Sequence, residues 1–134
     1  MLPEEWKVQR AIAIRLGSLE DVVLTIPRLQ ELRQSLPDAA ITLMTNHAGI
    51  QSKVLPWIDD ILVHEEALFT SNTEGELALI EMLSNRAFDA AVIFTNDGES
   101  PYPLAYICYL AGIPLRLGRS LEFGGSVLMI TQSG

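Results

Sequence analysis

The stretch from Arg10 to Pro37, RAIAIRLGSLEDVVLTIPRLQELRQSLP, restricts the chain more than any other. It opens with Ala11, Ile12, Ala13, Ile14 and Leu16, apolar on both faces of an extended segment, as in a strand flanked and covered on all sides in a parallel sheet. It breaks at Gly17 and resumes as a helix in which Val22, Ile26, Leu29, Leu32 or Arg33, and Leu36 recur at helical spacing. Arg28, Gln30, Glu31 and Gln34 then fall on the wet side. Pro27 leaves two boundaries open: it kinks a helix that starts near Ser18, or it marks the first turn of one that starts near Thr25.

The same alternation continues along the chain. Ala40 to Thr45 reads as a second strand, and Asn46 to Pro56 as a short helix or irregular crossover. A third strand over Asp60 to His64 is followed by a helix from about Glu74 to Asn85, with Leu77, Ile80 and Leu83 or Ser84 facing inward. A fourth strand, Ala90 to Phe94, ends in the most polar loop, Thr95 to Ser100. Pro101 to Ala111 reads as a helix that is apolar nearly all round and therefore covered on both sides, with Gly112 as its C-terminal cap. Leu115 to Gly118 is the fifth strand. The tail from Arg119 has no assigned partner, although it carries an apolar run, Val127 to Ile130.

Strands and helices in alternation require right-handed crossovers and a parallel sheet. The expected fold class is α/β, a Rossmann-like open parallel sheet in the order 3-2-1-4-5 with helices on both faces. That order puts the topological switch between strands 1 and 4, so the loops Gly17 to Asp21 and Thr95 to Ser100 flank one crevice at the carboxyl ends of the strands, where such sheets hold ligands. A chain of 134 residues with 49% apolar but only 7% aromatic residues suits one aliphatic core. We expect a domain over residues 1 to 118, with residues 119 to 134 a tail or the start of a linker to a further domain.

Net charge is −8 and the nine basic residues are scattered, which excludes a nonspecific nucleic-acid surface. Cys108 is the single cysteine, and no Cys or His pair has zinc spacing. The start, MLPEEWK, is acidic where a secretory signal would be positive, and no run approaches the roughly 20 apolar residues of a membrane span. The expected location is cytoplasmic.

Ser18-Leu19-Glu20-Asp21 matches a capping box, in which Ser18 caps the helix and Asp21 reaches back to the cap amide. Alternatively Asp21 is a general base at the mouth of the sheet. The two roles are compatible, because a base that helps a hydroxyl attack must be ionised. Gly17 permits a tight turn, but a second glycine is missing and Glu20 would repel a phosphate, so a dinucleotide loop is disfavoured. Asn96, Asp97 and Glu99 are candidates for binding a sugar hydroxyl or a metal, against ordinary Asn-Asp-Gly turn chemistry. Tyr102, Tyr106 and Tyr109 share one helical face, as a packed stripe or as a sugar platform. Arg15, Arg116 and Arg119 lie near strand ends, as ion-paired or solvated groups or as answers to an anionic ligand. His47 and His64 lack partners.

Two segments, IRLGSLEDVVLTIPRLQELRQSLPDAAITLMT and AVIFTNDGESPYPLAYICYLAGIPLRLGRS, resemble the glycosyltransferase family 9 enzymes, the heptosyltransferase-like proteins of lipopolysaccharide biosynthesis. The family pattern runs strand, Arg-x-Gly, two residues, Gly-Asp, an apolar run, Thr-x-Pro and a Leu-rich helix ending in Pro-Asp, with a later Ala-Gly-Ile-Pro-x-Arg-x-Gly. Glu20 departs from it, standing where the family has glycine. The resemblance implies the amino-terminal, acceptor-side domain of a GT-B fold, and an inverting, metal-independent transfer in which Asp21 is the base. On that reading Arg15, Gly17, Ser18, Glu20, Asn96, Asp97 and Glu99 line the substrate site. No metal and no resident cofactor is expected; the nucleotide-sugar donor is a co-substrate held by a carboxyl-terminal domain.

The implied partners are a glycan or glycolipid acceptor and the nucleotide sugar, with no nucleic acid. Peripheral association with the inner face of the membrane would suit a glycolipid, and dimerisation would cover the apolar tail. The isolated chain is expected to be inactive. A non-catalytic α/β binding or interaction module is the alternative, favoured by Glu20 and an acidic crevice.

Overall fold

The computed structural model describes residues 7–46, 54, 56–64, 73–95, 100–119 and 130–132. Six strands form one sheet: β1 (Arg10–Ile14), β2 (Ala40–Thr45), β3 (Asp60–Val63), β4 (Ala90–Ile93), β5 (Leu115–Arg119) and β6 (Ile130–Gln132). Their order is β3-β2-β1-β4-β5-β6 and every pair is parallel. The five-strand order and the Rossmann-like class expected from the alternation of elements therefore hold.

β1 is central for the reason its composition gives. Ala11 to Ile14 are fully buried, and β1 pairs with β2 on one side (Ile12↔Thr42) and β4 on the other (Ile12↔Ala91). Its side chains alternate between two cores. Ala11 and Ala13 pack with Val22, Leu29, Leu32, Ile41 and Leu43, while Ile12 and Ile14 pack with Leu79, Leu83, Ala105, Ile107 and Cys108. Burying a Leu or Val this fully is worth about 1.5–3 kcal/mol each. The first core lies under the helices that follow β1, the second under those that follow β3 and β4. The sheet is thus wound in both directions from β1.

The stretch after Gly17 forms two helices, α1 (Leu19–Leu24) and α2 (Ile26–Ser35), so both boundaries that Pro27 left open are used. Pro27 has no N–H to return to the preceding turn, and the ladder breaks at Thr25. Thr25 Oγ1 donates to the Asp21 carbonyl at 2.9 Å, and the Thr25 carbonyl accepts from Arg28 and Leu29.

α3 (Thr73–Arg86) buries Leu79 and Leu83, whereas Leu77 is 60% exposed. Leu83 and Ile80 face inward as expected, while Leu79, an i, i+4 partner of Leu83, takes the buried place expected for Leu77. α4 (Tyr102–Leu110) ends as expected: Gly112 has φ +82, its amide donates to Tyr109 and that of Ile113 to Cys108. This is the paired-bond glycine termination of a helix. The expectation that α4 is covered on both sides fails. Ala105, Ile107 and Cys108 are buried, but Tyr106, Tyr109 and Leu110 are each about half exposed.

The tail also differs from its expectation. Ile130 to Gln132 pair with Leu117 to Arg119, which gives β5 a second neighbour and covers main-chain groups that an edge strand would leave open.

Two polar fastenings hold the amino ends of the strands, opposite the β1–α1 turn. Asp89 Oδ2 accepts from the amides of Gln9 and Arg10 at 2.8 and 2.9 Å. Asp59 Oδ2 accepts from the Ile41 amide at 2.8 Å and from Arg33 at 2.6 Å, while Arg33 also donates to the carbonyls of Trp57, Leu36 and Ala39. The Ile41 amide is the largest influence holding the Asp59 carboxyl below its usual range; Arg33 adds to it and partial burial opposes it.

Candidate functional site

The site is built where β1 ends. Arg15 continues the strand, its amide donating to the Met44 carbonyl at 3.0 Å, and Gly17 then turns with φ +138. Ser18 follows in extended geometry as the cap of α1. Both halves of the capping box are present: Ser18 Oγ accepts from the Asp21 amide, and Asp21 Oδ2 from the Ser18 amide, each at 3.1 Å. The Gly17 amide donates to Asn46 Oδ1 at 3.3 Å, which ties the turn to the end of β2.

Gly17 is required twice over. Its φ is one that L side chains avoid, and a Cβ there would lie 2.8 Å from Asp21 Oδ2. The carboxylate therefore sits directly against the turn. Its side chain is 26% exposed, reachable from solvent, while Ser18 and Glu20 are exposed beside it.

Arg15 is placed differently from Glu20. Its side chain is 3% exposed, with Nη2 3.7 Å from Asp21 Oδ1. Nη1 donates to the carbonyls of Leu16 (3.0 Å) and Phe94 (3.2 Å), and Nε reaches the Asp21 carbonyl at 3.5 Å. The Phe94 amide in turn donates to Ile14 at 2.9 Å. The ends of β1 and β4 are therefore adjacent, as the switch-point reading requires.

Of the sequence candidates, Arg15, Gly17, Ser18 and Asp21 are brought together, with Glu20 in the same helical turn. Asn96, Asp97 and Glu99, on the loop after β4, lie outside the described residues, as does His47. Arg116 is not at the crevice. It is buried near the start of β5, bonded to the carbonyls of Ile113 and Pro114 and 5.2 Å from the Tyr109 ring centroid. Asn46 and the Phe94 carbonyl were not among the sequence candidates; only the strand order points to them.

An apolar groove of about 560 Å³ opens between α3 and α4, lined by Ile80, Tyr102, Tyr106 and Leu110 among others. None of the residues of the β1–α1 turn lines this groove. We place the site on the chemistry. Tyr106 and Tyr109 meet edge to face at 6.4 Å, a packed pair at a half-exposed surface. Cys108 is buried and its thiol is pushed up to about 12, which leaves it inert. Among the described residues no group of three or more His, Cys, Asp or Glu side chains could hold a metal, and no helix is long and apolar enough to cross a membrane.

The sequence matches no protein-family model and no curated protein. Solved structures do match. The crystal structure of the glycosyl transferase family 9 protein from Veillonella parvula superposes with a TM-score of 0.70 over 92% of this chain, at 20% identity. The chain has the fold of a family 9 glycosyltransferase segment. It covers 35% of that protein, and 36% of the E. coli heptosyltransferase WaaC, solved with ADP-2-deoxy-2-fluoro heptose, which matches 84% of this chain with a TM-score of 0.56 and 18% identity. The chain thus spans about a third of the length of the enzymes whose fold it shares. RSP, a Rex-family repressor, also matches, with a TM-score of 0.52, 9% identity, and cover of 96% of this chain and 53% of its own. The same doubly wound sheet therefore serves other chemistries, and the function rests on the site.

Proposed function

We propose that this chain is the acceptor-side, amino-terminal part of an inverting glycosyltransferase that moves a heptose-like sugar from a nucleotide sugar to a cell-envelope glycan. The observation that carries the reading is a solvent-reachable carboxylate, Asp21, fixed at the carboxyl end of the central strand, on a fold shared with family 9 enzymes. Asp21 takes the proton of an acceptor hydroxyl as its oxygen attacks the anomeric carbon. The bond from that carbon to the nucleotide diphosphate breaks, the diphosphate leaves with the electron pair, and attack from the opposite face inverts the configuration. The donor belongs to the portion of the family fold that this chain does not span.

The reading is tested with the ¹⁵N-labelled 134-residue chain and a short lipopolysaccharide-core oligosaccharide as acceptor. Amide shifts centred on Gly17 to Asp21 are expected. Saturable binding that leaves those amides unmoved, or no binding at millimolar oligosaccharide, overturns it. In a polypeptide that joins this chain to a donor-binding half, Asp21→Asn is expected to lower turnover by about 10²–10⁴-fold. The second reading, a non-catalytic binding module, is favoured by the exposed Glu20 carboxylate beside Asp21. It predicts that turnover is absent in wild type and variant alike.

A further inference from the structure

Arg15 and Arg116 are the charged residues buried among the described residues, and they are buried in different ways. Arg116 donates to the carbonyls of Ile113 and Pro114, close to it in sequence, and lies over the Tyr109 ring. Arg15 is spread across three elements: Leu16 at the end of β1, Phe94 after β4, and the carbonyl and carboxylate of Asp21 in α1. Burying a cation is costly unless its donors are used, and a simple helix cap needs no arginine. Ser18 and Asp21 complete the capping box between themselves.

We infer that Arg15 is a positioning residue for Asp21. The inference rests on the reading of Asp21 as base and deepens it. The carboxylate has three neighbours: the Ser18 amide on Oδ2, the space beside Gly17 where a Cβ would lie 2.8 Å from Oδ2, and the Arg15 guanidinium toward Oδ1. Together they select one rotamer. Because the same guanidinium bonds Phe94, the base and the strand end that leads into the β4–α4 loop share one anchor. With so little of its side chain exposed, Arg15 serves the substrate through Asp21. A lysine cannot replace it, since a single ammonium lacks the planar fork that reaches several carbonyls and a carboxylate together.

The test reads the Asp21 side chain directly. In the wild-type 134-residue chain, three-bond Hα–Hβ couplings of Asp21 are expected to report one χ1 rotamer. Arg15→Lys, which keeps the charge and most of the stem, should give averaged couplings, as should Arg15→Met if it folds. Asn46→Ala, which removes the partner of the Gly17 amide but keeps Gly17, Ser18 and Arg15, should leave them unchanged. A single Asp21 rotamer in folded Arg15→Lys overturns the inference, and so does equal averaging in Asn46→Ala. In a polypeptide with a donor-binding half, Arg15→Lys should lower kcat by about 10–100-fold with acceptor KM within about twofold, as expected for a misaimed reacting group. If Asp21→Asn leaves turnover intact, the base reading fails while the couplings still decide whether Arg15 holds Asp21.

Discussion

The substitution Gly17→Ala probes the turn most directly. Two costs are expected. The backbone at φ +138 is a conformation alanine enters at about 1–3 kcal/mol. The new Cβ also arrives 2.8 Å from Asp21 Oδ2, closer than van der Waals contact allows, so the carboxylate must swing away and release the Ser18 amide. Losing that half of the capping box costs about 1 kcal/mol. Reduced freedom of the unfolded chain returns about 0.4–1 kcal/mol. The net is a loss of about 1–3.5 kcal/mol, a large share of the 5–15 kcal/mol typical of a domain.

Urea unfolding followed by far-UV circular dichroism measures this, and a double-mutant cycle separates the parts. In an Asp21→Ala background Oδ2 is gone, so only the backbone cost remains, and Gly17→Ala should cost about 1 kcal/mol less than in wild type. Equal costs in the two backgrounds would refute the contact between the turn and the carboxylate. A cost below about 0.5 kcal/mol in wild type would refute the strained turn as well.

At the amino ends of the strands, Asp59 has a folded pKa below its usual 3.8, so the unfolded chain binds more protons between the two values. Stability from Asp59 is therefore present above the usual carboxylate range and lost as pH falls through the folded pKa. Unfolding free energies between pH 5 and 2 should fall less steeply in Asp59→Asn than in wild type; parallel slopes would contradict this. At the end of α3, Ala87 sits at φ +54, where a Cβ is unfavourable. Ala87→Gly is expected to stabilise the chain by about 0.5–1 kcal/mol, seen as a higher urea midpoint with unchanged slope.

How far the sequence could be read follows from how local each feature is. The capping box lies within four residues, so Ser18 and Asp21 were legible, as were the glycine termination of α4 and the strand order set by alternating elements. The split at Thr25 was only half legible, because Pro27 is compatible with a kink or with a new start. The exposure of Leu77 and the pairing of Ile130 to Gln132 depend on which surfaces the sheet offers, and periodicity does not carry that. Arg33 with Asp59, Arg15 with Phe94 and Gly17 with Asn46 join residues far apart in sequence. No spacing rule announces such pairs.

Capping and catalysis make the same demand on Asp21 locally, so the Ser18-x-x-Asp21 pattern does not choose between them. The difference lies in what surrounds the box. A cap is complete once Ser18 and Asp21 exchange their bonds, and it works equally well on any exposed helix. Here the chain adds a glycine whose missing Cβ makes room for the carboxylate and an arginine whose burial links that carboxylate to the end of β4. Neither addition is needed to start a six-residue helix. On the proposed reading, both serve to hold one carboxylate in one orientation at the switch point of the sheet.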